Sequence, residues 1–517
     1  MPVLTPLRRQ HRRLALPALL LPPLVAWAQA GAAQERPAGR EGPAPALAVD
    51  AFTLENGMRF LVVERTTAPT VAFAGVVGVG GVNEALGSTG TAHLLEHLLF
   101  KGTRRVGTLD PEAEAHLFAR MDSLHDDLLR ERGRLVPDSS RLRALAEGIA
   151  ALEDEARAYV VPNEFDRILT RAGAQGLNAT TSSETTTYFV ELPSNRAELW
   201  FALEADRMAN PVFREFYTER DVVMEERRLR VETSPGGLLY EAHLAHAFTL
   251  HPYGVPVVGY MSDLERLSRA QVRDYFRRYY GPGNTVVAVV GDVSAARVRT
   301  WAERYFGGLP AGERPPPVLA REPEPRGERR VEVLADAEPA LRLGWHIPSA
   351  THPDAPALAM LAALLTGGRT ARLHRAAVDD ARLATWVAAG TGPGDRHPRL
   401  FTVDLVPRAP HTPEEGEALV REVVAAFART PPPEEDLERV RSQLAAGAVR
   451  RLRSNLGLAL QLAEAEVTLG DWREAFGYAD AIGAVTGAEV QAVARRYLTP
   501  ERLTVAVLRR RGGDEER

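Results

Sequence analysis

Hydrophobic positions follow two different periods in the first part of the chain. Short β-branched stretches predict three strands, at residues 52–54, 58–63 and 70–79. Asn56-Gly57 lies between the first two and is a hairpin turn signal. Leucines at helical spacing then predict a helix over 88–100. Strands followed by a helix indicate a mixed α/β layer.

Residues 107–160 are different, because their leucines recur only at helical spacing. The stretch is interrupted at Pro137-Asp138-Ser139, so it predicts two antiparallel helices. Strand patterns return near 177–181 and 187–191. Helical spacing then predicts three helices, near 196–208, 214–232 and 237–249.

Part of the chain is repeated. Residues 272–289, VRDYFRRYYGPGNTVVAV, align without gaps with residues 490–507, VQAVARRYLTPERLTVAV, 218 positions later. Between the copies, residues 310–327 are rich in Pro, Glu and Arg, which is typical of a linker. We therefore predict an α+β fold with two homologous mixed α/β domains, each an antiparallel-rich sheet covered by helices. They span 48–309 and 328–511, and the first carries a helical-hairpin insertion at about 107–160.

Composition limits the possible chemistry. The 517 residues are too many for one compact core, and the absence of cysteine excludes disulfides, thiolate metal sites and a cysteine nucleophile. Any metal must be held by His, Asp or Glu. Only Lys101 among the 63 basic residues is a lysine, and we interpret this excess of arginine as genome composition.

The first thirty residues have the pattern of a secretory signal peptide. Four arginines between positions 8 and 13 precede an apolar run at 14–27 and the small-residue signal Ala28-Gln29-Ala30. The alternative is a membrane anchor, but the run is shorter than the ~20 residues of a spanning helix and contains three prolines. We expect cleavage at residue 30, a flexible leader at 31–47, and an exported mature chain, periplasmic or secreted, without a membrane span. Its formal charge would fall from -5 to -9, which is unfavourable for nucleic-acid binding.

The most informative stretch is TAHLLEHLLF at residues 91–100. On a helix His93, Glu96 and His97 fall within roughly 100° of one face. Two neutral imidazoles one turn apart can bind Zn²⁺, and a carboxylate between them can accept a proton from water. A merely solvent-facing polar surface is the alternative, but the flanking leucines predict that this helix is mostly buried.

A catalytic zinc site takes three protein ligands, so another element must supply the third. In the predicted helix 213–232 an apolar stripe carries both Glu219 and Glu226, while Glu225 points about 100° away. The stripe is defined by Phe216, Val222, Val223 and Leu229. Buried carboxylates need a cation or donors, and an internal ion pair with arginine is the alternative for this helix alone. Together with the histidine helix, the pattern favours a metal.

These residues resemble the pitrilysin/insulinase family of zinc peptidases, which has an inverted H-x-x-E-H motif. The resemblance covers nearly the whole mature chain. The matching segments occur in family order: Asn83-Glu84, HLLEHLLFKGT at 93–103, LNAT at 177–180, Thr187-Tyr188, ERDVV at 219–223, Glu226 and HPYG at 251–254.

The resemblance implies roles for individual residues. His93, His97 and Glu226 would be the zinc ligands, Glu96 the general base, and Glu219 a carboxylate that orients a ligand histidine. The implied function is hydrolysis of peptide bonds in unfolded peptides, with zinc activating the water. Substrate contacts are expected on the strand with Asn178, Ala179 and Thr180, because it resembles the family's edge strand, which pairs with extended substrates.

The chain departs from the family pattern at two places. The step from His97 to Glu226 is 129 residues, longer than usual by roughly fifty, and the excess corresponds to 107–160. That insertion could be a lid, a partner surface or inert. In the second half, Val378 and Thr385 stand where complete family members carry an Arg and a Tyr. We therefore expect a heterodimer in which a homologous subunit supplies the Arg/Tyr pair. The alternative is a non-catalytic assembly or binding subunit of the same family.

Overall fold

The computed structural model describes residues 47–313 and 315–511. The predicted signal peptide and nearly all of the predicted leader lie outside these residues. Eleven strands are described: β1 Asp50–Thr53, β2 Arg59–Glu64, β3 Thr70–Val77, β4 Gln175–Thr181, β5 Thr186–Pro193, β6 Thr285–Gly291, β7 Arg329–Ala335, β8 Ala340–Ile347, β9 Ala384–Gly392, β10 Arg399–Pro407 and β11 Leu503–Arg510. They form two sheets.

Helices cover both sheets. Those of the first half are α1 Thr91–Leu98, α2 Pro111–Arg132, α3 Ser139–Arg157, α4 Glu164–Arg171, α5 Ala197–Ala209, α6 Phe216–Arg227, α7 Pro235–Ala247, α8 Met261–Leu264, α9 Arg269–Tyr279 and α10 Ala295–Phe306. Those of the second half are α11 Ala355–Thr366, α12 Arg372–His374, α13 Pro413–Arg429, α14 Glu434–Arg453, α15 Asn455–Leu469, α16 Glu474–Gly483 and α17 Gly487–Tyr497. Among these described helices, none combines the length and the apolar character required to cross a bilayer.

The two sheets have the same topology. The first has the order β1-β2-β6-β3-β5-β4 and the second β7-β11-β8-β10-β9. In each sheet a single parallel pair, β2 with β6 or β7 with β11, lies next to antiparallel neighbours. The first sheet has β1 in addition, which pairs with β2 as the predicted hairpin. The predicted fold class, two similar antiparallel-rich units, is confirmed.

The sequence repeat has a direct structural counterpart. Its two copies form α9 followed by β6 and α17 followed by β11, and both helices begin with a capping box, at Ser268 and at Thr486. No helix or strand is described between Phe306 and Arg329, where the linker is predicted. The exact domain bounds stay a prediction.

Each half contributes one helix to the sheet of the other half. Leu239 of α7 packs on Ala335 and Leu508 of the second sheet. Leu458 and Leu462 of α15 pack on the outer face of the first sheet. Both helices are capped alike, because Ser234 and Ser454 each accept a hydrogen bond from a glycine N–H three residues later. Burial of apolar side chains between each exchanged helix and the sheet of the other half stabilises the association of the two halves.

The stretch at 107–160 contains the two predicted helices, which pack along each other. Asp110 and Asp138 cap them by accepting backbone N–H bonds from their first turns. Leu117, Met121 and Leu152 join the core that also contains α1 and α6. A buried ion pair between Glu114 of α2 and Arg214, just before α6, ties the helix pair to the elements of the candidate site.

Candidate metal centre

Helix α1 is held at its N-terminus by a carboxylate from the preceding loop. Glu84 accepts hydrogen bonds from the backbone N–H groups of Gly90 and Ala92, at 2.8 and 2.6 Å. Gly90 precedes the helix with φ of 85°, a conformation that favours glycine. The helix therefore begins at Thr91, three residues later than its hydrophobic pattern predicts. Leu94, Leu95 and Leu98 anchor it in the core.

Three of the predicted residues converge between α1 and α6. Nε2 of His93 and Nε2 of His97 each lie 3.5 Å from Oε2 of Glu226. One ligand atom from each of the three residues lies within 4.8 Å of the other two. No other group of three His, Cys, Asp or Glu side chains with metal-ligand spacing occurs in the described parts of the chain.

The apolar stripe predicted for the helix 213–232, of which α6 is the part up to Arg227, is wrong in part. Val222 and Leu229 are 45% and 64% exposed, whereas Phe216 and Val223 are buried. The buried face is centred on Phe216 and Val223, and Val222 lies a further 100° around the helix from Val223. Glu226 stands at the edge of the buried face, so its carboxylate is half-buried and reaches the two histidines.

Burial and charge set the proton affinities of the two imidazoles in opposite directions. Burial lowers the pKa of His93 to about 4, so this ring is neutral at pH 7. Burial also acts to lower the pKa of His97, but hydrogen bonds to Glu219 and Glu226 outweigh it and raise the value to about 9. The same contacts lower the pKa of both carboxyls against the effect of burial. Both carboxylates are therefore charged.

Glu96 lies on the same helix face but outside the group of three. Its Oε2 accepts a hydrogen bond of 2.5 Å from Oγ1 of Thr181, at the end of β4. Burial raises the pKa of Glu96 in spite of that bond. A carboxylate with raised proton affinity beside two imidazoles is suited to accept a proton from water.

The remaining predicted residues occupy definite places around this centre. Glu219 lies beside His97, with Oε2 3.3 Å from Nδ1, as an orienting carboxylate would. Asn178, Ala179 and Thr180 lie on β4, which is the edge strand of the first sheet. The end of that edge is next to Glu96 through Thr181.

Two basic residues at the centre have no counterpart in the sequence-based expectations. Nζ of Lys101 lies 2.7 Å from Oε1 of Glu219, and Nη1 of Arg230 lies 2.7 Å from Oε1 of Glu226. Spacing offers a signal for Arg230, which is four residues after Glu226 on the same helical stretch. For Lys101 the available signal is composition, since it is the only lysine.

The second half does not add to this centre at the two positions compared with the family. Val378 packs against the apolar core of the second half. Thr385 lies on β9 and donates a hydrogen bond from Oγ1 to the carbonyl of Val406. The region thus has neither an Arg nor a Tyr at these positions.

The donor set fits a zinc ion. Two imidazole Nε2 atoms and one carboxylate oxygen converge, which matches the three-ligand set of catalytic zinc sites. Burial keeps the His93 imidazole neutral at pH 7, as a metal-ligating histidine must be. His93, His97 and Glu226 would hold the ion.

Comparisons with known proteins identify the family. The family model "Insulinase (Peptidase family M16)" matches residues 59–116 and 158–259, and the model "Peptidase M16 inactive domain" matches residues 266–444. The first match is interrupted at 117–157, where most of α2 and α3 lie.

A relative agrees with this result, and solved structures share the fold. Zinc protease PqqE of Helicobacter pylori is 29% identical over 344 residues, which is 65% of this chain and 65% of that protein. The crystal structure of a protease from Helicobacter pylori matches 90% of this chain and all of its own chain, with 24% identity and a TM-score of 0.75. The periplasmic protease PqqL from Escherichia coli matches 90% of this chain at 16% identity and a TM-score of 0.65, but this match covers only 48% of PqqL. Both halves of the chain thus align with one family, and the protein belongs to the insulinase family of peptidases, M16.

Proposed function

We propose that the protein is a zinc-dependent peptidase whose metal ligands are His93, His97 and Glu226. The observation that carries the proposal is the convergence of these three side chains, from two helices, beside the carboxylate of Glu96. Family membership supports it, and the relative PqqE is named a zinc protease.

The surrounding residues have defined tasks in this proposal. A zinc ion held here would activate a water molecule and polarise the scissile carbonyl. Glu96 accepts the water proton and returns it to the leaving amine. Thr181 fixes the Glu96 carboxylate by its hydrogen bond, and Glu219 keeps Nδ1 of His97 occupied so that Nε2 faces the metal.

The substrate is proposed to be an extended, unfolded peptide. β4 has β5 on one side only, so its other edge offers backbone N–H and C=O groups for a further strand. Asn178 and Thr180 are exposed there, whereas Ala179 is buried. A peptide paired with this edge would pass the Glu96 carboxylate, which accepts a hydrogen bond from Thr181, the last residue of the strand.

We further propose that the chain is exported and acts with a homologous subunit. The pattern of the first thirty residues supports export. The match to about half of PqqL supports an arrangement in which this chain is one half of a larger enclosure. Val378 and Thr385 leave the Arg and Tyr contacts to be supplied by the partner.

A second function is favoured by one observation, the match of residues 266–444, most of them in the second half, to a domain described as inactive. In that case the chain would be a non-catalytic assembly or binding subunit. The intact set of His93, Glu96, His97 and Glu226 argues for the peptidase instead.

The variant Glu96→Gln separates the two functions. The wild type and the variant are loaded with zinc and assayed on a library of unstructured peptides, alone and with a homologue that carries the Arg/Tyr pair. The peptidase proposal expects equal zinc content and a rate lower by about 10²–10⁴-fold in the variant. Equal behaviour of both proteins in every peptide assay would favour the assembly subunit. Full activity of the isolated chain would contradict the need for a partner.

A further inference from the structure

The only lysine of the chain stands at the candidate metal centre. Of 63 basic residues, 62 are arginine. Two basic side chains, Lys101 and Arg230, form ion pairs with Glu219 or Glu226. A randomly placed lysine would occupy one of these two positions in about one case in thirty. The single lysine thus coincides with a position that contacts a carboxylate of the centre.

Lys101 is linked to a metal ligand through one carboxylate. Oε1 of Glu219 lies 2.7 Å from Nζ of Lys101, and Oε2 of the same carboxylate lies 3.3 Å from Nδ1 of His97. A second carboxylate, that of Glu215, lies 3.4 Å from Nζ. The ammonium thus fixes the carboxylate of Glu219 from the side opposite His97.

The surroundings favour an ammonium over a guanidinium. The backbone of Lys101 is held by the fully buried side chain of Arg214, whose Nη1 donates a hydrogen bond of 2.5 Å to the carbonyl oxygen of Lys101. Two carboxylate oxygens, from Glu215 and Glu219, face Nζ within 4 Å. The two carboxylates converge on one atom, Nζ, which suits the compact charge of an ammonium, whereas a guanidinium spreads its five N–H donors over a planar fork.

We propose that Lys101 is a positioning residue for the metal centre: it holds Glu219 so that His97 presents Nε2 to the metal. The inference rests on the proposed zinc site and extends it by one residue. Loss of a partner that supports a ligand histidine typically weakens metal binding about 10–100-fold. We expect that loss for Lys101→Met, and a loss of several-fold for Lys101→Arg because the charge remains while the geometry does not.

The test measures zinc affinity by competition with a chelator, together with the melting temperature of the metal-free proteins. Arg104→Met is the matched control, because it removes a positive charge three residues further along the chain, and the ion pair that it breaks, with Glu112, is exposed. We expect wild-type zinc affinity in this control. Lys101→Met should lower zinc affinity by more than its effect on the metal-free melting temperature would explain.

Chemical rescue keeps the test independent of folding defects. The natural chain contains no cysteine, so Lys101→Cys introduces a single thiol. Alkylation with 2-bromoethylamine forms a carbon–sulfur bond, releases bromide and the thiol proton, and restores an ammonium group at nearly the lysine position. Alkylation with iodoacetamide gives a neutral side chain as the control. Only the aminoethylated protein should regain zinc affinity.

This design distinguishes failure of the proposed zinc site from failure of the proposed role of Lys101. If the wild type does not bind zinc, the proposed function itself fails. If the wild type binds zinc and Lys101→Met or the carbamidomethylated protein binds it equally well, the metal site stands and the role of Lys101 is wrong.

Discussion

The two halves of the molecule have one architecture but differ in the polarity of two equivalent helices. After β3 comes α1, with His93, Glu96 and His97, and after the equivalent strand β8 comes α11, whose sequence APALAMLAALLT has no ionisable side chain. The inward positions of α6 include Glu219 and Glu226. On α14, the corresponding helix in chain order, they include Leu437 and Leu444, which belong to the apolar core of the second half.

This difference shows what the fold requires and what it does not. The second half packs well with apolar residues on both helices, so the sheet and its helices do not need the polar set. Burial of imidazoles and carboxylates costs free energy unless partners compensate it. The polar set of the first half is therefore explained by the chemistry it can perform. A model named for an inactive domain matches residues 266–444, most of which lie in the apolar half.

The largest effect is expected when the first half is made like the second. Glu226→Leu removes one of three metal ligands and should weaken zinc binding by more than the ~10–100-fold typical of a supporting partner, with hydrolysis falling to background. Zinc content after dialysis and peptide turnover are the measurements. Glu225→Leu is the control, because Glu225 is exposed one position away. Zinc retained at wild-type level in Glu226→Leu would contradict the assigned ligand set.

The reverse change in the second half should cost stability and create no metal site. Leu437 is fully buried, so Leu437→Glu places a carboxylate without a partner and should lower the free energy of unfolding by about 3–5 kcal/mol at pH 8. Leu437→Gln has a similar shape, so the difference between the two variants isolates the charge. That difference should shrink at pH 5, where the carboxyl can take up a proton. A Leu437→Glu protein as stable as wild type at pH 8 would refute this interpretation.

A smaller effect on stability is expected from the two exchanged helices, since α7 buries a base, His243, and α15 buries an acid, Glu464. Burial lowers the pKa of His243 on α7 to about 3, so the unfolded chain takes up a proton below about pH 6.5 while the folded chain does not. Stability should therefore fall by about 2 kcal/mol from this residue between pH 8 and pH 5. Denaturant unfolding of His243→Gln should show a weaker acid dependence than wild type, and an unchanged dependence would contradict the assignment.

Glu464 on α15 should change the stability with pH in the opposite direction to His243. Burial raises its pKa to about 7, so its contribution to stability is present below about pH 4.5 and is lost as the pH rises through 7. Glu464→Gln should therefore lose less stability than wild type over that interval. Equal pH dependence of this variant and the wild type would show that Glu464 titrates alike in the folded and unfolded chains.

Local geometry made much of the site predictable. His93, Glu96 and His97 share a helix face because their spacing is three and four residues, whatever the tertiary fold. The repeat at 218 positions predicted two similar units, since identical spacing in a helix, turn and strand is preserved in α9, α17 and the strands that follow. The pairing of the first two strands followed from their Asn-Gly turn.

Contacts between distant elements were not predictable in the same way. Hydrophobic spacing shows that α7 and α15 each bury one side, but it does not say that each packs on the sheet of the other half. The predicted stripe placed Val222 on the buried side of α6. Few apolar residues define that stripe, so including or omitting one valine or leucine changes its predicted direction. Thr181 and Lys101 reach the centre through tertiary contacts and have no periodic signal.

The most direct test of the central claim is the anomalous scattering of a crystal grown with zinc, measured above and below the zinc absorption edge. The proposed site predicts one strong peak per chain, bonded to Nε2 of His93, Nε2 of His97 and an oxygen of Glu226. A zinc peak at any other group of residues, or no peak at saturating zinc, would contradict the claim.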